Sequence, residues 1–222
     1  MGPKQTIGID PLDLNDFLIA VEKSFGIQFQ PEELPSGLSI RQLCKCISSK
    51  IPLPQDETCT SQQAFYKVRG AIVSVTNFEE KSIEPDTLLE ELFPKKKRIS
   101  QVKALDQKLD VKLNALQPPG WLEALLLLVL IISFVGVFFK FKFAIPLIIS
   151  YLGLWIARKT AKNFSLHTVG ELSEKMMRLN YIKSRRKASV NIHEIEKIVT
   201  TLLMDELGLE KEDIHPDNVL ID

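Results

Sequence analysis

The stretch from Trp121 to Ala157, "WLEALLLLVLIISFVGVFFKFKFAIPLIISYLGLWIA", constrains this chain more than any other. No charge occurs from Ala124 to Phe139, and none from Phe143 to Ala157; Lys140 and Lys142 lie between the two runs. One unbroken helix over this stretch would extend about 55 Å, far beyond a hydrocarbon core of about 30 Å. The pattern therefore predicts a membrane hairpin within residues 118–160, with helices near 121–139 and 143–157 and a tight turn at "KFK". Trp121, Tyr151 and Trp155 are placed at the interface, with Arg158 and Lys159 just beyond the second run. That second run is short and contains Pro146, so a hairpin dipping into one leaflet stays open beside a spanning one. A buried soluble pair of helices would need more covering chain than the remainder supplies.

The flanks set an orientation. Lys95, Lys96, Lys97, Arg98, Lys103, Lys108 and Lys112 precede the hairpin, and Arg158, Lys159 and Lys162 follow it. The excess of basic residues on these flanks predicts that both termini face the cytoplasm. The string "PKKKR" also has the form of a nuclear import signal; beside a membrane hairpin, a topogenic or anionic-lipid-facing patch is favoured.

Outside the hairpin the pattern is helical. Helices are expected near 11–25, 39–50, 60–77, 98–113, 168–180 and 192–206, and alternating strand patterns are absent. Asp10 can cap the first helix. Pro11 suits its first turn, where a missing N–H has no helical partner, and Asp13 adds favourable charge there. "SIRQ" (39–42), "TSQQ" (60–63) and "TVGE" (168–171) have the form of capping boxes. "PLPQDET" and "KSRRKAS" read as linkers. Twenty-eight basic residues balance 28 acidic ones, so no global charge points to nucleic acid. Three cysteines, an odd number, argue against a disulfide framework, and "CKC" has no second cluster with ligand spacing; no metal is predicted. His167, His193 and His215 lack motif partners, and neither a phosphate loop nor a nucleophile elbow is present. The chain is therefore read as no enzyme, with no cofactor.

The soluble segments carry a resemblance. The tail "ELGLEKEDIHPDNVLID" (206–222) follows an amphipathic helix with Ile195, Ile198, Val199, Leu202 and Leu203 on one face. "GIDPLD" (8–13), "VEKSFGIQF" (21–29) and "LSIRQLCKCI" (38–47) follow in the order of a second helix, a loop and a last helix. Joined tail to head, these segments resemble the acyl carrier proteins, whose signature is Gly-x-Asp-Ser-Leu-Asp. The order is permuted: residues 192–222 supply the first helix and loop, and residues 1–50 the rest. The ends of one chain, or of neighbouring chains, can make the pair, and self-association through the ends follows from the second option. The middle resembles a second, more divergent copy: "SQQAFYKVRGAIVSV" (61–75), "SIEPDTLLEELF" (82–93), "ALDQKLDVKL" (104–113) and "HTVGELSEKM" (167–176). The expected organisation is a first half-bundle at 1–50, a linker at 51–59, and part of a second bundle at 60–117. The hairpin at 118–160, a last helix at 161–183, a linker at 184–191 and the closing segment at 192–222 follow. The expected class is all-α.

The resemblance implies a 4′-phosphopantetheine arm on the signature serine. Pro11 stands there instead, and in the second copy the equivalent position falls near Lys95; neither has a hydroxyl. The resemblance is to a bacterial kind of membrane-embedded carrier, which implies the inner membrane. Ser36 and Ser100 do not follow the required aspartate in register. What the resemblance still implies is a docking surface on the second helix, here Asp10, Asp13, Asp16 and Glu22, for proteins of fatty-acid or lipid biosynthesis. The expected function is thus a membrane-anchored, non-catalytic docking scaffold. A true carrier using another serine, and a hairpin that shapes membranes, are the alternatives.

Overall fold

The computed structural model describes residues 7–137, 142, 144–185 and 189–220. Its helices are α1 (Pro11–Phe25), α2 (Ile40–Lys50), α3 (Thr60–Val75), α4 (Leu89–Leu92), α5 (Arg98–Leu109), α6 (Gly120–Val137), α7 (Ala144–Lys159), α8 (Val169–Leu179), α9 (Tyr181–Ser184) and α10 (Ile192–Leu207). Two short strands, β1 (Leu116–Gln117) and β2 (Asn163–Phe164), pair antiparallel. The fold is all-α apart from that pair. The chain divides into two compact units: Met1–Val68 with Ser173–Asp222, and Arg69–Leu172. The divisions fall inside α3 and α8.

In the first unit both chain ends build one core. α1 and α2 pack against α10. Phe17 and Val21 share a cluster with Ile198, Val199, Leu202 and Leu203, all nearly inaccessible to solvent. Burying each such side chain contributes about 1.5–3 kcal/mol. The ends are also knitted by backbone. Ile7 N–H donates to Val219 O (3.1 Å), Ile40 N–H to Asn218 O (3.1 Å), and Leu220 N–H to Leu38 O (2.9 Å). Such bonds satisfy groups that would otherwise be orphaned at the two ends.

The expected linker "KSRRKAS" is partly a fastener; its residues 186–188 lie outside the described ones. Arg185 is buried at 2 % exposure. Its guanidinium donates to Ser189 Oγ (2.9 Å), Thr58 O (3.1 Å), Asp56 O (2.8 Å) and the Thr60 hydroxyl, with the Glu194 carboxylate 3.6 Å away. A buried guanidinium is tolerated because every donor finds an acceptor. The network also redirects the expected capping box at 60–63: Thr60 N–H donates to Glu194 (3.0 Å), and its hydroxyl bonds the same carboxylate.

The second unit repeats several backbone bonds of the first. Residues 79–89 and 210–220 share the pattern Ile-x-Pro-Asp-x-x-Leu after a 3-10 turn, Glu80–Ser82 in one and Lys211–Asp213 in the other. Where Ile40 N–H meets Asn218 O, Val169 N–H meets Thr87 O at 3.1 Å. Where Arg41 N–H meets Pro216 O at 2.8 Å, Gly170 N–H meets Pro85 O at 2.8 Å. The bridge Ser39–Val219 has its counterpart in Thr168–Leu88. The last helices start alike. Ser39 forms the full capping box with Gln42; Thr168 Oγ1 accepts from Glu171 N–H (3.2 Å), while the Glu171 carboxylate reaches His167 N–H (2.6 Å). The ends of α1 and α5 also agree. Both stop at a left-handed residue, Gly26 (φ 62°) and Asp110 (φ 54°). Beyond each, a carboxylate one turn back accepts a backbone N–H: Glu22 from Phe29 (2.6 Å) and Asp106 from Leu113 (3.2 Å). That stop explains why α5 ends at Leu109 and not at the expected 113.

The copies differ in what joins the second helix to the last. The first unit uses residues 30–38, with a 3-10 turn at Pro31–Glu33. The second inserts α6 and α7, which pack on each other. Ser133 and Ser150, both buried, and Gly153, whose added Cβ would meet Leu126 at 3.1 Å, lie where small residues let two helices approach. At the base, Arg158 donates to Glu123 (2.8 Å), and β1 pairs with β2 (Leu116 with Phe164). Two-residue strands carry too little alternation to show in a sequence. Elsewhere α6 and α7 expose apolar side chains, such as Leu128, Ile131, Phe134, Ile148, Ile149 and Leu152. Among the described residues α6 alone is long and apolar enough to cross a membrane; α7 has 16 residues and ends in Arg158 and Lys159. Lys140 and Phe141 of the expected "KFK" turn, with Phe138 and Phe139, lie outside the described residues.

Candidate functional site

α1 begins because Asp10 accepts the Leu12 N–H (2.8 Å) and Pro11 needs no acceptor. Its buried stripe is Phe17, Val21, Ser24 and Phe25. Leu12 and Ile19, two turns apart, stand off that stripe and are 77 % and 51 % exposed. Asp13 and Asp16 are exposed beside them and enter no ion pair among the described residues. The start of α1 is thus an acidic face tipped by leucine and isoleucine. Glu22, expected on this face, is half-buried and held by Phe29 N–H, so it closes the helix end. Pro11 is exposed, with no nucleophile at its position.

Counting back from the shared helix-end bonds, Pro11 corresponds to Lys95, Leu14 to Arg98 and Phe17 to Gln101. The second unit therefore presents Lys95, Lys96 and Lys97, all exposed, where the first presents Pro11, Leu12 and Asp13. The "PKKKR" string is not one patch. Arg98 is 1 % exposed; it donates to Phe93 O (2.8 Å) and Lys162 O (2.7 Å) and lies over the Phe164 ring at 4.8 Å. It ties the start of α5 to the segment that leaves α7. Phe17 fills its slot completely, whereas Gln101 reaches across to Val75 O (3.2 Å). Beside it opens a depression of about 550 Å³ lined by Val75, Phe78, Leu92, Pro94, Lys96 and Lys97, among others.

The thiols divide by environment. Burial, aided by Glu196, pushes the Cys44 thiol up to about 12. Burial also raises that of Cys46. The Ser61 hydroxyl lowers that of exposed Cys59. Among the described residues no three His, Cys, Asp or Glu side chains gather as a metal site. At the hairpin, Trp121, Tyr151 and Trp155 are exposed, Arg158 pairs with Glu123, and Lys159 lies 4.7 Å over the Trp155 ring.

The expected site residues thus separate. Asp10, Asp13 and Asp16 share the start of α1, and Glu22 serves its end. Leu12 and Ile19 join the acids there, and both fall off the spacing of Phe17, Val21 and Phe25 in the sequence itself. Nothing local marks Arg98 and Arg185 as buried, since their acceptors are mostly backbone carbonyls brought in by the fold. No family model, curated protein or solved structure matches this chain.

Proposed function

We propose that this protein is a membrane-anchored, non-catalytic docking scaffold of lipid or acyl-chain metabolism. The acidic, leucine-tipped start of α1 is its binding face. The observation that carries the reading is the pairing of protruding Leu12 with Asp13 and Asp16, which enter no ion pair among the described residues, at a helix start that holds proline where a carrier would hold serine. A protruding aliphatic side chain ringed by one sign of charge suits a basic partner: burial of the apolar tip gives affinity and charge gives encounter rate and register. The apolar exterior of α6 and α7 supports anchorage, with the pair entering the bilayer as a hairpin and both soluble units on its cytoplasmic side. The test is binding of the full chain, in lipid nanodiscs, to a panel of enzymes that act on acyl carrier proteins. At least one is expected to bind, and to lose binding on Asp13→Lys with Asp16→Lys. No binding across the panel overturns the reading.

A further inference from the structure

The acidic and basic helix starts occupy one position in two copies of one architecture, and the chain is neutral only because they cancel. Residues 10–33 hold six acids and one lysine; residues 94–112 hold seven basic residues and two acids. Segregation of this kind within a neutral chain makes two faces that attract each other. The shapes correspond as well. Leu12 stands out from α1 at 77 % exposure. Next to the basic start, beside Gln101, lies a depression of about 550 Å³ lined by Val75, Phe78, Leu92 and Pro94 together with polar side chains that include Lys96 and Lys97. Buried Arg98 holds that lysine run in place through Phe93 O and Lys162 O.

We propose that the basic pocket of the second unit receives the leucine-tipped start of α1 from a second copy of this chain. The inference rests on the docking reading of α1 and names the partner of that face. Leu12 enters among Val75, Phe78, Leu92 and Pro94, while Asp13 and Asp16 face Lys96 and Lys97. The contact is head to tail: each copy offers one acidic start and one pocket, so it propagates into rows or closes into a ring.

The experiment uses the full chain labelled on Cys59 with donor or acceptor dye, in phosphatidylcholine vesicles. Energy transfer between copies is expected at low salt and falls as salt rises. Asp13→Lys with Asp16→Lys, alone, weakens association by about tenfold or more, and so does Lys96→Glu with Lys97→Glu alone. Each variant places like charges across the contact. Mixing the two variants restores transfer, because each then meets an opposite face on the other. Leu12→Ser weakens association without changing charge. Transfer that survives either double variant, or that mixing does not restore, overturns the inference. So does transfer that appears only when anionic lipid is added, since the lysines then serve the bilayer. If neither double variant alters transfer but Asp13→Lys with Asp16→Lys still abolishes binding to the enzyme panel, only this inference falls. If that variant changes neither, the docking reading falls with it.

Discussion

The two units solve one folding problem with opposite connectivity. The first is assembled from the far ends of the chain and closed by a short turn between its second and last helices. The second is continuous through its first two helices and interrupted by the apolar pair α6 and α7 before its last. Both keep the Ile-x-Pro-Asp turn, the bridge to the last helix and the carboxylate at the end of the second helix. What survives in both is the set of backbone bonds that ties the turn to the last helix. What varies is the segment between the second and last helices and the solvent-facing charge. A small helical unit of this kind tolerates a long insertion where two antiparallel residues already bring its ends together, because loop closure cost rises only slowly with length.

The insertion offers the largest test. Replacing residues 118–162 with Asn-Gly closes β1 and β2 as a two-residue hairpin, which suits their antiparallel register. The product is expected to leave the membrane fraction entirely, keep its helical circular dichroism and protect the amides of α5 and α8 from exchange. Aggregation or loss of protection would mean that the second unit depends on its insertion. Next in size is the position where the copies differ inside. Phe17→Ala should destabilise the first unit by about 3–5 kcal/mol, whereas Gln101→Ala should cost the second about 1 kcal/mol, the worth of one hydrogen bond. Native-state exchange of α10 and of the Arg69–Val75 part of α3 reads both; equal losses would show that Gln101 is as structural as Phe17. The smallest effect probes the shared turn. Ser39→Ala and Thr168→Ala should each cost about 1 kcal/mol, seen in exchange at the first amides of α2 and α8. A loss in one copy and none in the other would break the equivalence at its most similar point.

The helix starts at Asp10 and Ser39, and the apolar run to Ala157, were legible because each rests on residues within a few positions of one another. The same locality failed at Thr60, whose expected cap was taken over by Glu194 and Arg185 from far along the chain. It failed again at "PKKKR", read as one patch, where Arg98 is drawn inside by carbonyls at 93 and 162. Of the site, the acids were legible, whereas Leu12 is set apart only by its place off the buried stripe of α1. The pocket beside Gln101 was not legible, because an unfilled slot is a relation between three segments.

By itself the sequence determined the helical class, the apolar insertion and the missing hydroxyl at Pro11, since periodicity, hydropathy and side-chain chemistry are properties of short stretches. Only the tertiary structure decided that the two chain ends close one unit within the same molecule, that two arginines are fasteners, and that one helix start is acidic and solid where its counterpart is basic and open. Those outcomes depend on which distant groups supply acceptors and fill volume, and no local stretch carries that information.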